Sequence, residues 1–333
     1  MKRQLPIIAA PMAGGISTPE LVAAVSAAGG LGFLAAGYLS PEQVRAQVSQ
    51  LRALSSEAFG LNIFVPGTGR ADPGLLERYS ASLMPEAERL GAKLGEPHWD
   101  DDHYLAKLEL ALELRPAMMS FTFGCPTGEE VTRLKQAGIE VAVTVTNPLE
   151  AELAVDAGAD SLIVQGTEAG GHRGYFYDDG ANVEHPLRSL LGLIGAVTRL
   201  PLIAAGGIAD QRGVAAALAA GATAVQVGTA LMLSSEAGTS AIHREAFKSE
   251  AGTTLTRAFT GRTARAINNR FINDHGAAAI RGYPEVHHLT APLRAAAKVH
   301  QDASVLNLWA GRGYYLALEA PAATIIAELA GHD

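Results

Sequence analysis

The sequence predicts an α/β protein built as a (βα)8 TIM barrel, with a smaller, mainly helical domain inserted after the eighth strand. Three observations carry this expectation. Eight short, almost wholly apolar runs alternate with amphipathic stretches, four of those stretches stop at an Ala-Gly pair, and several open on a capping side chain followed by proline or an acid. Strands that are apolar on both faces belong to a parallel sheet covered by helices, and eight is the number at which such a sheet closes. A doubly wound open sheet is the structural alternative.

The first strand is read at Ile7 to Ala10, and the first helix opens at Ser17-Thr18-Pro19-Glu20, where a hydroxyl caps and proline suits the first helical position. That helix stops at Gly29, where the chain turns through a left-handed conformation into the strand Leu31 to Ala35. Ser40-Pro41-Glu42-Gln43 opens the next helix, and Leu61 to Val65 forms strand three. Residues 68 to 105 break the unit: rich in proline, glycine and acids and ending in Asp100-Asp101-Asp102, they read as helices and loop added after strand three.

Strand four is Met118 to Phe121, followed by Thr127 and Glu130 at capping-box spacing and a stop at Gly138. Strand five, Glu140 to Thr144, leads to Asn147-Pro148-Leu149-Glu150 and a stop at Gly158; strand six is Ser161 to Gln165. Strand seven is Leu202 to Ala205, and Gly221 precedes strand eight at Ala224 to Val227. A bare barrel needs one closing helix after that, so 234–300 is expected as a smaller substrate or lid domain, with 1–233 and 301–333 forming the barrel.

Composition narrows the function classes. With 333 residues, 48% hydrophobic, 18% charged and 36 glycines, the chain should fold completely. A net charge of -8 without a basic block argues against nucleic acid as partner. The single cysteine, Cys125, excludes an intrachain disulfide, which makes the cytoplasm the simplest compartment. No Cys/His group has zinc-ligand spacing, so no metal is expected. Lys2 and Arg3 precede an apolar run too brief and too broken by Pro6 and Pro11 for a signal peptide. Nothing approaches the roughly 20 apolar residues of a membrane span.

In such a barrel the working residues stand just past the carboxyl ends of the strands. After strand one come Ala10, Pro11 and Met12, small residues plus a polarizable thioether, suited either to a flat ligand or to a tight turn. Gly206 and Gly207 follow strand seven, and Gln226, Val227, Gly228 and Thr229 end strand eight; glycine loops at these two strands are where barrels hold phosphate. After strand six, Gln165 offers an amide to a heterocycle, Gly170 and Gly171 permit close approach, and His172 with Arg173 adds a titratable group and a cation. Among ten histidines, His172 is the catalytic candidate by position. Asn62 within strand three needs a partner, ligand or backbone. Cys125 reads as structural because no base is near in sequence. Trp309, Tyr314 and Tyr315 either face the ligand or pack the last helix.

Five ordered segments, PIIAAPMAGGISTPELVAAV, SFTFGCP, QGTEAGGHRG, PLIAAGGIADQRGVAAAL and VQVGTALM, together with TTLTRAFTGRTARAINNRF, resemble the nitronate monooxygenases. The resemblance implies FMN as cofactor and oxidation of alkyl nitronates such as propionate 3-nitronate by O2 to a carbonyl compound and nitrite. It implies a flavin against Ala10 to Met12, Asn62, Gln165 and Gly170, with its phosphate at Gly207 and Gln226 to Thr229. His172 falls on the family's active-site histidine, as base or as orienting group. Arg173, Trp309, Tyr314 and Tyr315 are candidate substrate contacts, and a homodimer is a candidate assembly. FMN-dependent enoyl-acyl-carrier-protein reductases using NAD(P)H, which share a Glu-Ala-Gly-Gly-His run, and a non-redox phosphate-binding barrel are the alternatives.

Overall fold

The computed structural model describes residues 4–331; Lys2 and Arg3, weighed above as the start of a leader, lie outside them. Its first six strands are β1 (Ile7–Ala9), β2 (Gly32–Ala35), β3 (Phe59–Phe64), β4 (Met118–Thr122), β5 (Glu140–Val145) and β6 (Ser161–Gln165). A two-residue strand, β7 (Gly171–His172), precedes β8 (Leu202–Ala205) and β9 (Ala224–Val227). All but β7 form one parallel sheet in the order β1-β9-β8-β6-β5-β4-β3-β2. Its two ends meet where Ile8 pairs with Leu31. There the Ala9 N–H donates to Leu31 O at 2.9 Å and the Leu31 N–H to Ile7 O at 3.0 Å, so the barrel closes.

Alternation along the strands explains why both faces are apolar. Ile8, Leu31, Phe33, Met118, Ala142, Ile163, Ile203 and Ala224 fill the interior, while Ile7, Val143, Leu162, Val164, Ala204 and Val225 pack outward against the helices. Gly60 sits where a Cβ would fall 2.3 Å from the Phe33 ring, so one missing side chain makes room for the largest interior one. The helix punctuation is as expected: Thr18, Ser40, Thr127 and Asn147 cap their helices, and Gly29, Gly138, Gly158 and Gly221 take φ of +89°, +80°, +90° and +99°.

The insertion after β3 contributes the helix Pro73–Arg89 and an irregular stretch leading to the helix Tyr104–Leu114. Residues 234–300 carry the helices Ala241–Ala246, Arg270–His275 and Glu285–Val299, plus β10 (Thr253–Thr256) and β11 (Ala264–Ile267). β11 pairs antiparallel with β10 and with β7, setting Ala264 opposite His172. The apolar pattern gave no sign of this sheet, since TTLT and ARAI are four-residue runs with polar or charged members.

A second core joins the two additions. Tyr79 and Leu83 from the first pack with Phe259, Phe271, Val286, Leu289 and Leu293 from the second. Val305, Leu306, Leu308, Ala310 and Tyr314 belong to this core, while the Gly311 N–H donates to Thr229 Oγ1 and the Arg312 N–H to Glu168 O, both at 3.0 Å, so the stretch after residue 301 touches both the smaller unit and the barrel. The helix Ala322–Ala330 returns to the barrel, burying Ile325, Ile326 and Leu329.

Candidate active site

The carboxyl ends of the strands open into one cleft holding about 1270 Å³ of atom-free space, its open mouth included. The fold brings Ala10, Pro11, Met12, Asn62, Gln165, Gly170, Gly171, His172, Gly206, Gly207, Gln226, Gly228, Thr229 and Trp309 to its wall. Val227, Arg173, Tyr314 and Tyr315 do not line it. Val227 turns its side chain into the outer core and offers the site only backbone, its carbonyl accepting from the Ala10 N–H at 2.8 Å.

Both glycine loops stand on the cleft wall. Gly206 and Gly207 have φ of +113° and +71°, and a Cβ would come 2.9 Å from Ala169 N or 2.8 Å from Glu168 Cβ. Backbone conformation and space therefore both demand glycine. A Cβ on Gly228 would fall 3.3 Å from Ala10 Cβ and 3.6 Å from Met12 Sδ, so the turns after β1 and β9 close on each other. The helix Gln211–Ala219 already has a carboxylate at its start, with Asp210 Oδ1 accepting from the Gly213 N–H at 2.8 Å. An anion is better received by the glycine turns than by that helix terminus.

Two amides have different duties. Asn62 Nδ2 donates to Ser120 O, Ser120 Oγ and Thr122 Oγ1 at 3.1, 2.9 and 3.0 Å, which leaves Oδ1 as the atom free for a ligand. Gln165 was expected to meet a heterocycle, but its Oε1 accepts from Arg173 Nη1 and the Gly174 N–H, both at 2.8 Å, and its Nε2 donates to His172 O at 3.0 Å. Gln165 thus ties down the GGHRG loop. Gln226 is the opposite case: its Nε2 is buried without a hydrogen-bond partner among the described residues, so a ligand in the cleft must supply the acceptor.

Arg173 and the two tyrosines, expected as substrate contacts, stand off the cleft wall. Arg173 is fully buried, donating to Gln165 Oε1, Gly166 O and Gln165 O at 2.8, 2.7 and 3.1 Å, with Glu184 Oε2 3.3 Å from its Nε. It ties the end of β6 to the loop that follows. Tyr314 is buried in the second core, its hydroxyl donating to Ser249 O at 2.6 Å, and Tyr315 is 71% exposed. Gly170 also has a different reason from the one expected, because a Cβ there would meet Gly311 N at 2.4 Å and Ala310 C at 2.5 Å. It admits backbone, whereas Gly171, at φ +72°, faces open space. Cys125 donates weakly to Leu153 O at 3.8 Å, and burial pushes its thiol up to about 11, which fits a structural residue.

His172 is half-buried in the cleft wall. Its ring lies 5.2 Å from Trp309, 5.7 Å from Phe123 and 5.9 Å from Tyr283, and its Nε2 is 2.9 Å from Thr260 Oγ1. Burial, reinforced by the cations Arg262 and Arg294 and only partly opposed by Asp178, pulls its pKa down to about 3. The imidazole is therefore neutral at physiological pH and sits in a positive field.

Tyr38, Phe64, Phe123, Thr260, Arg262 and Tyr283 escaped the sequence reading. Tyr38 lies just past the end of β2, at the kind of strand end where working residues stand. Its backbone is left-handed at φ +67°, held by a bond from its N–H to Asp102 Oδ1 at 2.9 Å; its ring stacks on His287 at 4.4 Å, and its hydroxyl accepts from Tyr283 at 3.2 Å. Arg262 lies 3.9 Å over the Phe123 ring. Tyr38, Phe64 and Phe123 separate the cleft from a second cavity, lined on its far side by Asp100, His98 and His288.

The chain is similar to several known proteins. A family profile described as nitronate monooxygenase matches residues 2–331. The chain is 41% identical to the nitronate monooxygenase of Pseudomonas aeruginosa, over 98% of this chain and 97% of that one. The solved structure of a nitroalkane oxidase from Streptomyces ansochromogenes superposes with a TM-score of 0.94 at 45% identity, covering 98% of this chain and 95% of the other. FabK from Thermotoga maritima superposes at 0.75 with 28% identity, covering 98% and 91%.

Proposed function

The chain belongs to the nitronate monooxygenase family, and from that premise we propose that it is an FMN-dependent enzyme that oxidises alkyl nitronates, propionate 3-nitronate among them, with O2 to a carbonyl compound and nitrite. The observation that carries this reading is a neutral His172 in a positive field, on the wall of a cleft whose Gln226 amide lacks an acceptor. When bound, FMN supplies the acceptor for the nitronate's electrons and the donor for O2. Ala10, Pro11, Met12 and Gly170 would flank it, Asn62 Oδ1 and Gln226 Nε2 would meet its polar edges, and Gly206, Gly207, Gly228 and Thr229 would receive its phosphate.

A nitronate arrives already deprotonated, so its oxidation needs no strong base. An imidazole pulled down to about 3 is a poor proton acceptor, whereas the field of Arg262 and Arg294 that lowers it also attracts an anion. The Thr260 hydroxyl lies 2.9 Å from His172 Nε2 and donates to Arg262 O at 3.2 Å, so the imidazole is held in one orientation on the cleft wall, where the neutral ring can orient the anion. Trp309 and Phe123 restrict water around the ring.

The test is anaerobic mixing of the yellow holoenzyme with propionate 3-nitronate while flavin absorbance is followed, with nitrite measured after air is admitted. Bleaching followed by stoichiometric nitrite is the expected result. Bleaching by NAD(P)H alone, with no response to nitronate, transfers the chain to enoyl-thioester reduction, and an unresponsive flavin removes redox chemistry altogether.

A further inference from the structure

We propose that His98, Asp100 and His288 form a binding site for a divalent transition metal of the zinc class at the rim of the second cavity. The site stands apart from the flavin reading, and no established property of the cleft depends on it.

It arises where the irregular stretch after the helix Pro73–Arg89 crosses the helix Glu285–Val299. The Gly95 N–H donates to Leu289 O at 2.9 Å, and a Cβ on Gly95 would fall 2.0 Å from His288 O, so the two backbones are in direct contact. Three and five residues on, His98 and Asp100 reach the His288 side chain. One ring nitrogen from each histidine and one carboxylate oxygen all lie within 4.8 Å of one another, the only such group among the described residues. His288 Nε2 is 2.5 Å from Asp100 Oδ2, and the two imidazoles stack with centroids 3.8 Å apart.

The remaining polar atoms are committed as ligands require. His98 Nδ1 is 3.0 Å from Glu96 O, which fixes the ring proton there and leaves the lone pair on Nε2. Asp100 Oδ1 accepts from the Asp102 N–H at 2.8 Å, orienting the carboxylate. A simple ion pair explains Asp100 and His288 alone. It leaves the stacked second imidazole without a part. A cation shared by two lone pairs and a carboxylate uses all three groups. Two nitrogens and one oxygen suit Zn2+ and its neighbours rather than Mg2+ or Ca2+, and three protein ligands leave a position for water or for a molecule in the cavity. The ligands come from segments 188 residues apart, so no local spacing announces them. A bound ion would clip the insertion after β3 to the helix that carries His287, whose ring stacks on Tyr38.

Zn2+ titration of the chelator-treated holoenzyme, by calorimetry and by thermal unfolding, tests the proposal. One Zn2+ per chain and a saturable rise in Tm are expected, with no effect of Mg2+ at the same concentration. His98→Ala and Asp100→Asn should each weaken Zn2+ binding by more than about 100-fold, since losing even an outer-shell partner costs about 10- to 100-fold. Unchanged flavin absorbance in both variants reports an intact fold. Equal binding by wild type and variants, or no saturable binding by wild type, overturns the site.

Discussion

His172 Nε2 lies 2.9 Å from Thr260 Oγ1, although 88 residues separate the two. Together with the strand pairing of His172 opposite Ala264, this contact means that segments of the smaller unit hold both the backbone and the side chain of His172. The residue that faces the cleft from the barrel is thus held in place by what was inserted into the barrel.

Thr260→Val, close in shape but without the hydroxyl, should therefore act on catalysis rather than on cofactor retention. Losing one neutral hydrogen bond costs about 1 kcal/mol, so kcat/KM for a nitronate should fall about fivefold. FMN content should be unchanged, and Thr260→Ser should restore activity. Wild-type kinetics in the valine variant would show that Thr260 does not position the imidazole.

Arg173 should behave as a structural residue. Removing one partner from a buried ionic network costs about 3–5 kcal/mol, so Arg173→Ala should lower the urea midpoint markedly. Arg173→Lys keeps the charge but cannot reproduce the forked bonds to Gln165 and Gly166, and should be intermediate. Whatever remains folded should keep its KM for nitronate. An elevated KM at unchanged stability would return Arg173 to the substrate site.

These two residues mark how far the sequence was legible. The eight barrel strands could be read because they are short, mostly apolar runs, four of them preceded by a glycine stop and several followed by a capped helix start, signals that act within a few residues. Ala10 to Met12, the glycine loops and His172 followed from strand ends alone. Arg173 could not be told from a substrate contact, since its partners Gln165 and Gly166 are set by a loop that folds back on β6. Thr260, Tyr283 and the strands β10 and β11 were hidden for a related reason. They are short, polar or distant in sequence, and only tertiary packing brings them to His172.

Gly207→Ala should separate cofactor binding from chemistry. The new methyl would sit 2.8 Å from Glu168 Cβ on a backbone at φ +71°, so the loop must shift. FMN should dissociate during gel filtration, and excess FMN should restore the yellow colour and activity. Full retention of flavin by this variant would place the phosphate elsewhere. Tyr315→Ala, at a side chain 71% exposed, is the control and should leave both properties intact.

Acid should destabilise the protein well before its carboxylates titrate. Burial pulls His172, His243 and His287 down to about 3, 4 and 2, against about 6.5 for an unfolded histidine. The folded chain holds these rings neutral, whereas the unfolded chain binds protons below pH 6.5, so unfolding takes up protons and stability falls as pH drops. Each ring contributes at most about 1.4 kcal/mol per pH unit between 6.5 and its folded value, and nothing above pH 7. Asp178, which burial works to raise but Arg257 and the Thr263 N–H hold low overall, adds to the loss at lower pH. Urea midpoints should therefore be level from pH 8 to 7 and decline steeply from 6.5 to 5. The same neutrality means that kcat/KM for a preformed nitronate should show no inflection near 6.5. An inflection there that disappears in His172→Ala would mean that His172 titrates in the working enzyme and acts as a base.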